Sequence, residues 1–427
     1  MKSLKEIYQD NEEHNFIDPS LYSRYRVKAG LRNDNGTGVK VGLTKICDVI
    51  GYKIIHEKKY NIDGQLIFRG YPINYLVNKQ SKEKICGFEE TAYLLIFGSL
   101  PTSQQLKEFR DYLLNFKMGP VDLQYETPNI LNALQIEVLK LYAKDPSADT
   151  DDLEERMIKG LNILASIPLF TFSYACNKVF KAYPYPDRSL AENILCMARG
   201  NDQYTYEEAK IMDTLLMVHA DHGGGNNSTF ANVVISSTGT DIYSCISAAI
   251  GSLKGPKHGG ANCKVTNMFK AIFHEVGFTT DKTTLKKIAN RLLDKDFFDH
   301  SGLIYGIGHA IYTKSDPRCL LIQQQCATLA KAKGQEDIYN CIHTFEKVAV
   351  EVMKERKGID VCANVDYYSG YVYSLLGIKN DLFTPLFAIS RTAGWVSHHL
   401  ENRQSNRKLI RPANVYVGEM EEVEWLQ

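Results

Sequence analysis

From Gly87 onward the apolar residues of this chain recur three and four positions apart, and each run is cut by Gly or Pro. A 3.6-residue period of that kind dictates helices packed through apolar stripes and leaves little chain for sheet. "GFEETAYLLIFG" sets Phe88, Ala92, Leu95 and Ile96 on one face and stops at Gly98. The next helix is expected to start with Thr102 as N-cap and Gln105 three residues on, a capping-box pattern. "DDLEERMIKGLNILASIPLF" carries Leu153, Met157, Gly160, Leu161 and Leu164 and is expected to end before Pro168. "DIYSCISAAIGSLKGP" carries Ile242, Ile246, Ala249 and Leu253, and "FTPLFAISRTAGWVSHHLE" is expected to begin with Thr384 as cap and Pro385 at the first helical position.

Upstream, the first fifty residues are polar, rich in Gly and Asn, and read as mostly irregular. "KIIHEKKYNIDGQLIFRGY" shows two apolar runs around Asp63-Gly64, which predicts a hairpin turning at that pair. The expected fold is all-α, in two lobes, with this one small N-terminal β-hairpin. No repeat of fixed period argues for a solenoid, and neither a G-x-G-x-x-G after a strand nor a Walker sequence supports a nucleotide fold.

Fifty Lys and Arg balance fifty Asp and Glu, so no global field favours nucleic acid or an anionic membrane, and arginine clusters would serve small anions. None of the ten cysteines forms a C-x-x-C pair and most have apolar neighbours, which fits free thiols in a reducing compartment. The charged N-terminus lacks the apolar stretch of a secretory signal and no run reaches membrane-span length, so a cytoplasmic protein is expected. The N-x-S/T matches in "NNST" then carry no glycosylation meaning.

Four stretches set a polar residue in a Gly-rich or aromatic context. They are "HADHGGGNNSTF" with His219 and His222, "GPKHGGAN" with His258, "GIGHAIYTKSDPR" with His309 and Arg318, and "NVDYYSG" with Asp366. Pro256 and the pair Gly259-Gly260 break the chain around His258, which presents the imidazole instead of packing it. His219 and His222 would share a helical face and so resemble a metal pair, but no Cys pairs with them and Asp366 stands in no ligand-spaced cluster, so no metal is expected. Asp366, between Val365 and two tyrosines, is either a helix cap or a carboxyl whose pKa burial raises. Arg391 lies four residues from both Phe387 and Trp395, with Gly394 beside it, an aromatic setting that suits an anion site. Together these residues offer a base for a weakly acidic C–H, a neutral donor for an enolate oxygen, a second histidine for a carbonyl, and arginines for a dicarboxylate.

The motifs "FRGYPI", "FEETAYLLIFGSLPT", "ASIPLF", "DHGGGNNST", "SCISAAIGSLKGPKHGGAN", "GIGHAIYTKSDPR", "NVDYYSG", "FAISRTAGW" and "LIRP" resemble the citrate synthase family, in its order and over nearly the whole chain. The resemblance implies a helical homodimer with a large domain (residues 1–262 and 375–427), a small domain (263–374) and a site in the cleft between them. It implies that Asp366 takes a proton from acetyl-CoA, His258 stabilises the enol or enolate, and His309 is the general acid on oxaloacetate. His222, Asn226, Arg318 and Arg391 would hold oxaloacetate, and Arg411 in "LIRP" matches the arginine supplied by the partner subunit. No cofactor beyond the acyl-CoA co-substrate is implied. Gly223 and Ala310 depart from the family, which often has Glu or Gln and Arg there. A 2-methylcitrate synthase using propionyl-CoA is the alternative enzyme, since one methylene changes binding by only about 1–3 kcal/mol. A silent helical binding protein is the alternative class, opposed by the presence of the full catalytic set.

Overall fold

The computed structural model describes residues 16–56, 58–79, 85–119, 127–405 and 408–418, together with 3, 5, 6, 9, 121 and 123. Parts of the N-terminal stretch expected to be irregular, residues 10–15 among them, lie outside the described residues. The chain divides into two compact units, Thr44–Leu409 and a smaller one of Met1–Leu43 with Ile410–Gln427. In the smaller unit the described residues form a short helix α1 (Ser20–Arg24), a 3-10 turn (Ala29–Leu31) and an Asx-stabilised loop closed by an Arg32–Gly38 bridge.

The larger unit opens with an antiparallel sheet of β1 (Cys47–Ile55), β2 (Lys58–Phe68) and a two-residue β3 (Tyr71–Pro72). Helices follow: α2 (Ile73–Lys79), α3 (Gly87–Phe97), α4 (Ser103–Leu114), α5 (Ile130–Lys144), α6 (Leu153–Cys176), α7 (Leu190–Arg199), α8 (Tyr206–His219) and α9 (Asn227–Ser236). After them come α10 (Ile242–Leu253), α11 (Ala261–Val276), α12 (Lys282–Leu293), α13 (Pro317–Ala332), α14 (Glu336–Lys357), α15 (Asp366–Leu375) and α16 (Phe383–Gln404). The expected mostly helical fold is observed. Capping boxes start α4 (Thr102 with Gln105), α7 (Ser189 with Glu192) and α8 (Thr205 with Glu208), each answering amide groups that the first turn leaves open. α16 is buried on all sides from Phe383 to His399 and packs on α6, α3, α8, α9 and α10, so it is the axis of the core. No helix among the described residues is long and apolar enough to cross a membrane.

Three sequence expectations fail, each for a local reason. The hairpin turns directly after Ile55, which pairs with Lys58, and His56 takes φ +46°. Asp63 and Gly64 sit inside β2, where the register shifts opposite Gly51. Neither glycine makes a turn there. A Cβ on Gly51 would run into the Ile311 carbonyl, and one on Gly64 into the Ser315 carbonyl and, at 2.6 Å, the Tyr312 ring. Second, α6 continues through Pro168 to Cys176. Every residue from Ile163 to Ser173 is buried, and the Tyr183 hydroxyl donates to the Ala165 carbonyl at 2.8 Å beside the proline. Burial thus outweighs the helix-breaking tendency. Third, Thr384 does not cap α16. The helix starts at Phe383, and the Thr384 hydroxyl donates instead to the Gly259 carbonyl at 2.9 Å.

Candidate active site

The residues singled out in the larger unit gather around Arg391, in the middle of α16. His258 lies in the turn between α10 and α11, half-buried, held by bonds from its own amide to Gly255 O and from the Gly259 amide to Leu253 O. Gly259 is needed for proximity: a Cβ there would stand 2.6 Å from the Leu253 carbonyl and 2.8 Å from the Thr384 methyl. The imidazole is only partly uncovered, because its Nε2 lies 3.2 Å from Ser228 Oγ, and Phe387 stands edge-on at 6.3 Å. Ser228 Oγ also donates to Asn226 Oδ1 at 2.9 Å and accepts from Trp395 Nε1 at 3.2 Å. Asn226 is the half-buried residue that precedes α9. Burial, then the charge of Arg391, push the His258 pKa down to about 4, so the ring is neutral near pH 7.

His309 and Asp366 are tied together by backbone. A bridge between Ile307 and Ala363 is flanked by bonds from Gly308 N to Cys362 O and from Asn364 N to Gly306 O, both 2.8 Å. Gly306, at φ +82°, lets Tyr367 approach where a Cβ would stand 2.8 Å from the ring. The amides of Ile311 and Tyr312 both donate to His309 Nδ1 at 3.1 Å. Amides can only donate, so these partners assign the ring proton of the neutral form to Nε2. His309 stacks on Tyr312 at 4.7 Å, and His222 meets His309 edge-on at 5.1 Å.

Asp366 opens α15 and keeps part of its surface open. Loss of solvent raises its pKa to about 6 against the pull of Arg318 and Arg391, with Asp316 adding to the rise. Arg318, at the start of α13, is buried and forked onto the capping Asp316, Nε to Oδ1 at 3.0 Å and Nη2 to Oδ2 at 2.7 Å. Burial pulls that guanidinium down, but Asp316 outweighs it and holds its pKa above the ordinary arginine value. Arg391, fully buried in mid-α16, donates Nε to the His219 carbonyl at 2.6 Å and lies 4.6 Å from the Phe387 ring centre. Its Nη1 and Nη2 have no hydrogen-bond partner among the described residues, and burial lowers its pKa to about 10. His222 Nε2 is buried and equally unpartnered, and burial, then Arg318, His309, Arg391 and His258, hold that ring neutral. Buried donors without partners are costly, and a bound carboxylate would answer them.

The structure thus brings His222, Asn226, His258, His309, Arg318, Asp366 and Arg391 into one unit. Arg411 belongs to the smaller unit, where it is exposed in a segment without helix or strand. The shared helical face expected for His219 and His222 is not found, because α8 ends at His219. Among the described residues no group of three or more His, Cys, Asp or Glu is arranged to hold an ion. Sequence reading missed Asp316, although its place before Pro317 is a helix-start signal, and Ser228, whose links depend on tertiary contact. It also missed the buried Asp221–His398 pair, 3.0 Å apart, behind His222.

The family model for the citrate synthase C-terminal domain matches residues 33–413. A citrate synthase of Haloferax volcanii is 36% identical, over 86% of this chain and 94% of that protein. A 2-methylcitrate synthase of Corynebacterium glutamicum is 33% identical, over 83% and 89%. The citrate synthase of Thermoplasma acidophilum, solved as a ternary complex with carboxymethyl coenzyme A and oxaloacetate, superposes with a TM-score of 0.75 at 26% identity, over 90% of this chain and 96% of that one. With the model matching most of its length and relatives above 30% identity spanning more than four fifths of it, the chain belongs to the citrate synthase family.

Proposed function

We propose that this protein condenses acetyl-CoA with oxaloacetate and water, giving citrate and CoA. The observation that carries the reading is the pairing of a carboxyl raised to about 6 on Asp366 with a buried, unpartnered guanidinium fork on Arg391. In this reading Arg318, Arg391, His222 and Asn226 hold oxaloacetate. Asp366 takes a methyl proton from the thioester, and neutral His258 donates a hydrogen bond to the enol or enolate oxygen. The new carbanion carbon attacks the keto carbon, and His309 delivers its Nε2 proton to the forming alkoxide. Water then cleaves the citryl thioester and releases CoA as thiol. Chemistry of this kind needs no metal or prosthetic group. Residues 263–374 act as a smaller domain that closes on the rest over oxaloacetate, in a cytoplasmic homodimer whose sites each take Arg411 of the partner subunit.

Release of free thiol from acetyl-CoA and oxaloacetate tests the reaction, and the same assay with propionyl-CoA measures acyl preference. Asp366→Asn should lower kcat by about 10²–10⁴-fold, because the amide cannot accept the proton, while calorimetric binding of oxaloacetate stays nearly intact. Turnover within a few fold of wild type would remove Asp366 from the role of base.

A further inference from the structure

Where α13, α14 and α15 meet, four polar side chains form a cluster in which Tyr368 is buried and Gln323, His343 and Glu346 are half-buried. The Tyr368 hydroxyl donates to Glu346 Oε2 at 2.5 Å. Gln323 Nε2 lies 2.9 Å from that same carboxylate oxygen, 2.8 Å from the Tyr368 hydroxyl and 3.1 Å from His343 Nδ1. His343 Nδ1 is itself 3.1 Å from the Tyr368 hydroxyl, and its ring stacks on Tyr339 at 5.7 Å. Tyr368 is fully buried, and its neighbour Tyr367 donates to the Ile342 carbonyl of α14 at 2.9 Å. Around them the core is apolar, with Cys319, Cys326, Phe345 and Val365 buried.

The position of this cluster relates it to catalysis. Gln323 is on α13, five residues after Arg318, and Tyr368 is on α15, two residues after Asp366. Glu346, on α14, accepts from both. Apolar helix interfaces tolerate small slides and rotations at low cost, whereas a hydrogen-bond network anchored on a buried hydroxyl has one arrangement in which its donors and acceptors match. Proton abstraction from carbon demands placement finer than apolar packing supplies, since a misplacement of about 1 Å can slow a reaction 10²-fold. We propose that Tyr368, Glu346 and Gln323 are positioning residues that lock α15 to α13 in register, and so set the Asp366 carboxylate relative to Arg318. The inference rests on the reading of Asp366 as the base.

The test uses the full-length protein with Tyr368→Phe, Glu346→Gln and Glu346→Leu. Tyr368→Phe removes one buried oxygen and keeps the ring. It should lower kcat roughly 10–100-fold while the oxaloacetate dissociation constant stays within about twofold. The isotope effect on kcat with methyl-deuterated acetyl-CoA should rise, because proton removal becomes slower than the steps after it. Glu346→Gln keeps an acceptor for the tyrosine and should retain more activity than Glu346→Leu. The double variant Tyr368→Phe/Glu346→Leu should be no worse than Glu346→Leu alone, as expected of a single unit. The register idea is overturned if Tyr368→Phe keeps wild-type kcat, or loses activity only in proportion to its unfolded fraction with an unchanged isotope effect. Should Glu346→Leu fail to fold, Tyr368→Phe and Glu346→Gln decide the matter by the same readouts. Asp366→Asn separates the two layers: an active Asp366→Asn enzyme removes the base itself, whereas an inactive one beside a normal Tyr368→Phe enzyme removes the register role alone.

Discussion

A carboxyl that gains its proton near pH 6 sets a pH signature on this protein. The carboxylate is the active form of a base, so kcat/KM should be full above that value and fall about tenfold per unit below it. His258 titrates near 4 and stays neutral throughout that window. Stability runs the other way. A folded pKa above the unfolded value means the native state binds this proton more tightly, so its contribution is present below about pH 4 and is lost as pH rises through 6. At pH 7 Asp366→Asn should therefore unfold at a higher temperature than wild type while being nearly inactive; equal or lower stability would contradict the raised pKa. At this scale the sequence was informative, because His258, His309 and Asp366 stand at chain breaks or among aromatics that single them out. Ser228 and Asp316 did not stand out, since a hydroxyl or an acid before proline is ordinary until folding brings its partner close.

At the scale of elements, helix existence was legible and the exceptions were decided by packing. Gly98 and Thr102 did what local chemistry dictates, whereas Pro168 and Thr384 answered to what surrounds them. The hairpin was legible but its turn was not: Asp63-Gly64 has the composition of a turn, yet Gly64 serves the approach of Ser315. Ser315 Oγ accepts from the Gly64 amide at 3.1 Å, and the Tyr312 hydroxyl donates to the Gln65 carbonyl at 3.2 Å, so β2 supports the segment that follows His309. Gly64→Ala should push that segment away, destabilise the fold by about 1–3 kcal/mol and lower kcat. Denaturation midpoints and steady-state rates check both effects, and an alanine variant with wild-type values for both would show that β2 is not a support.

For the whole molecule, the proposed assembly and closure make two measurable statements. Oxaloacetate should bind first and compact the protein in small-angle scattering, since water admitted to activated thioester would waste substrate; an unchanged profile with random binding order counts against closure. Arg411 precedes Pro412, which bars a regular helix, and the segment from 408 to 418 carries neither helix nor strand. If Arg411 acts across the dimer, mixing inactive Asp366→Asn and Arg411→Ala chains restores one complete site per mixed dimer, and activity returns. Verified mixed dimers that remain inactive would place Arg411 in its own chain's site or in none. Neither statement is available from periodicity: closure is argued from thioester chemistry and the shared site from what the resemblance implies, because a pattern of apolar residues reports packing within a chain and not which copy a tail serves.

The two amides on His309 Nδ1 have a consequence for reagent chemistry. Electrophiles that modify histidine attack a nitrogen lone pair, and the lone pair of this ring is occupied by Ile311 and Tyr312 while its other nitrogen bears the proton. His309 is therefore a weak nucleophile despite its half-buried position beside His222. Acylating or alkylating probes aimed at this protein will label other histidines first, and labelling of His309 will report that the loop from 309 to 312 has opened.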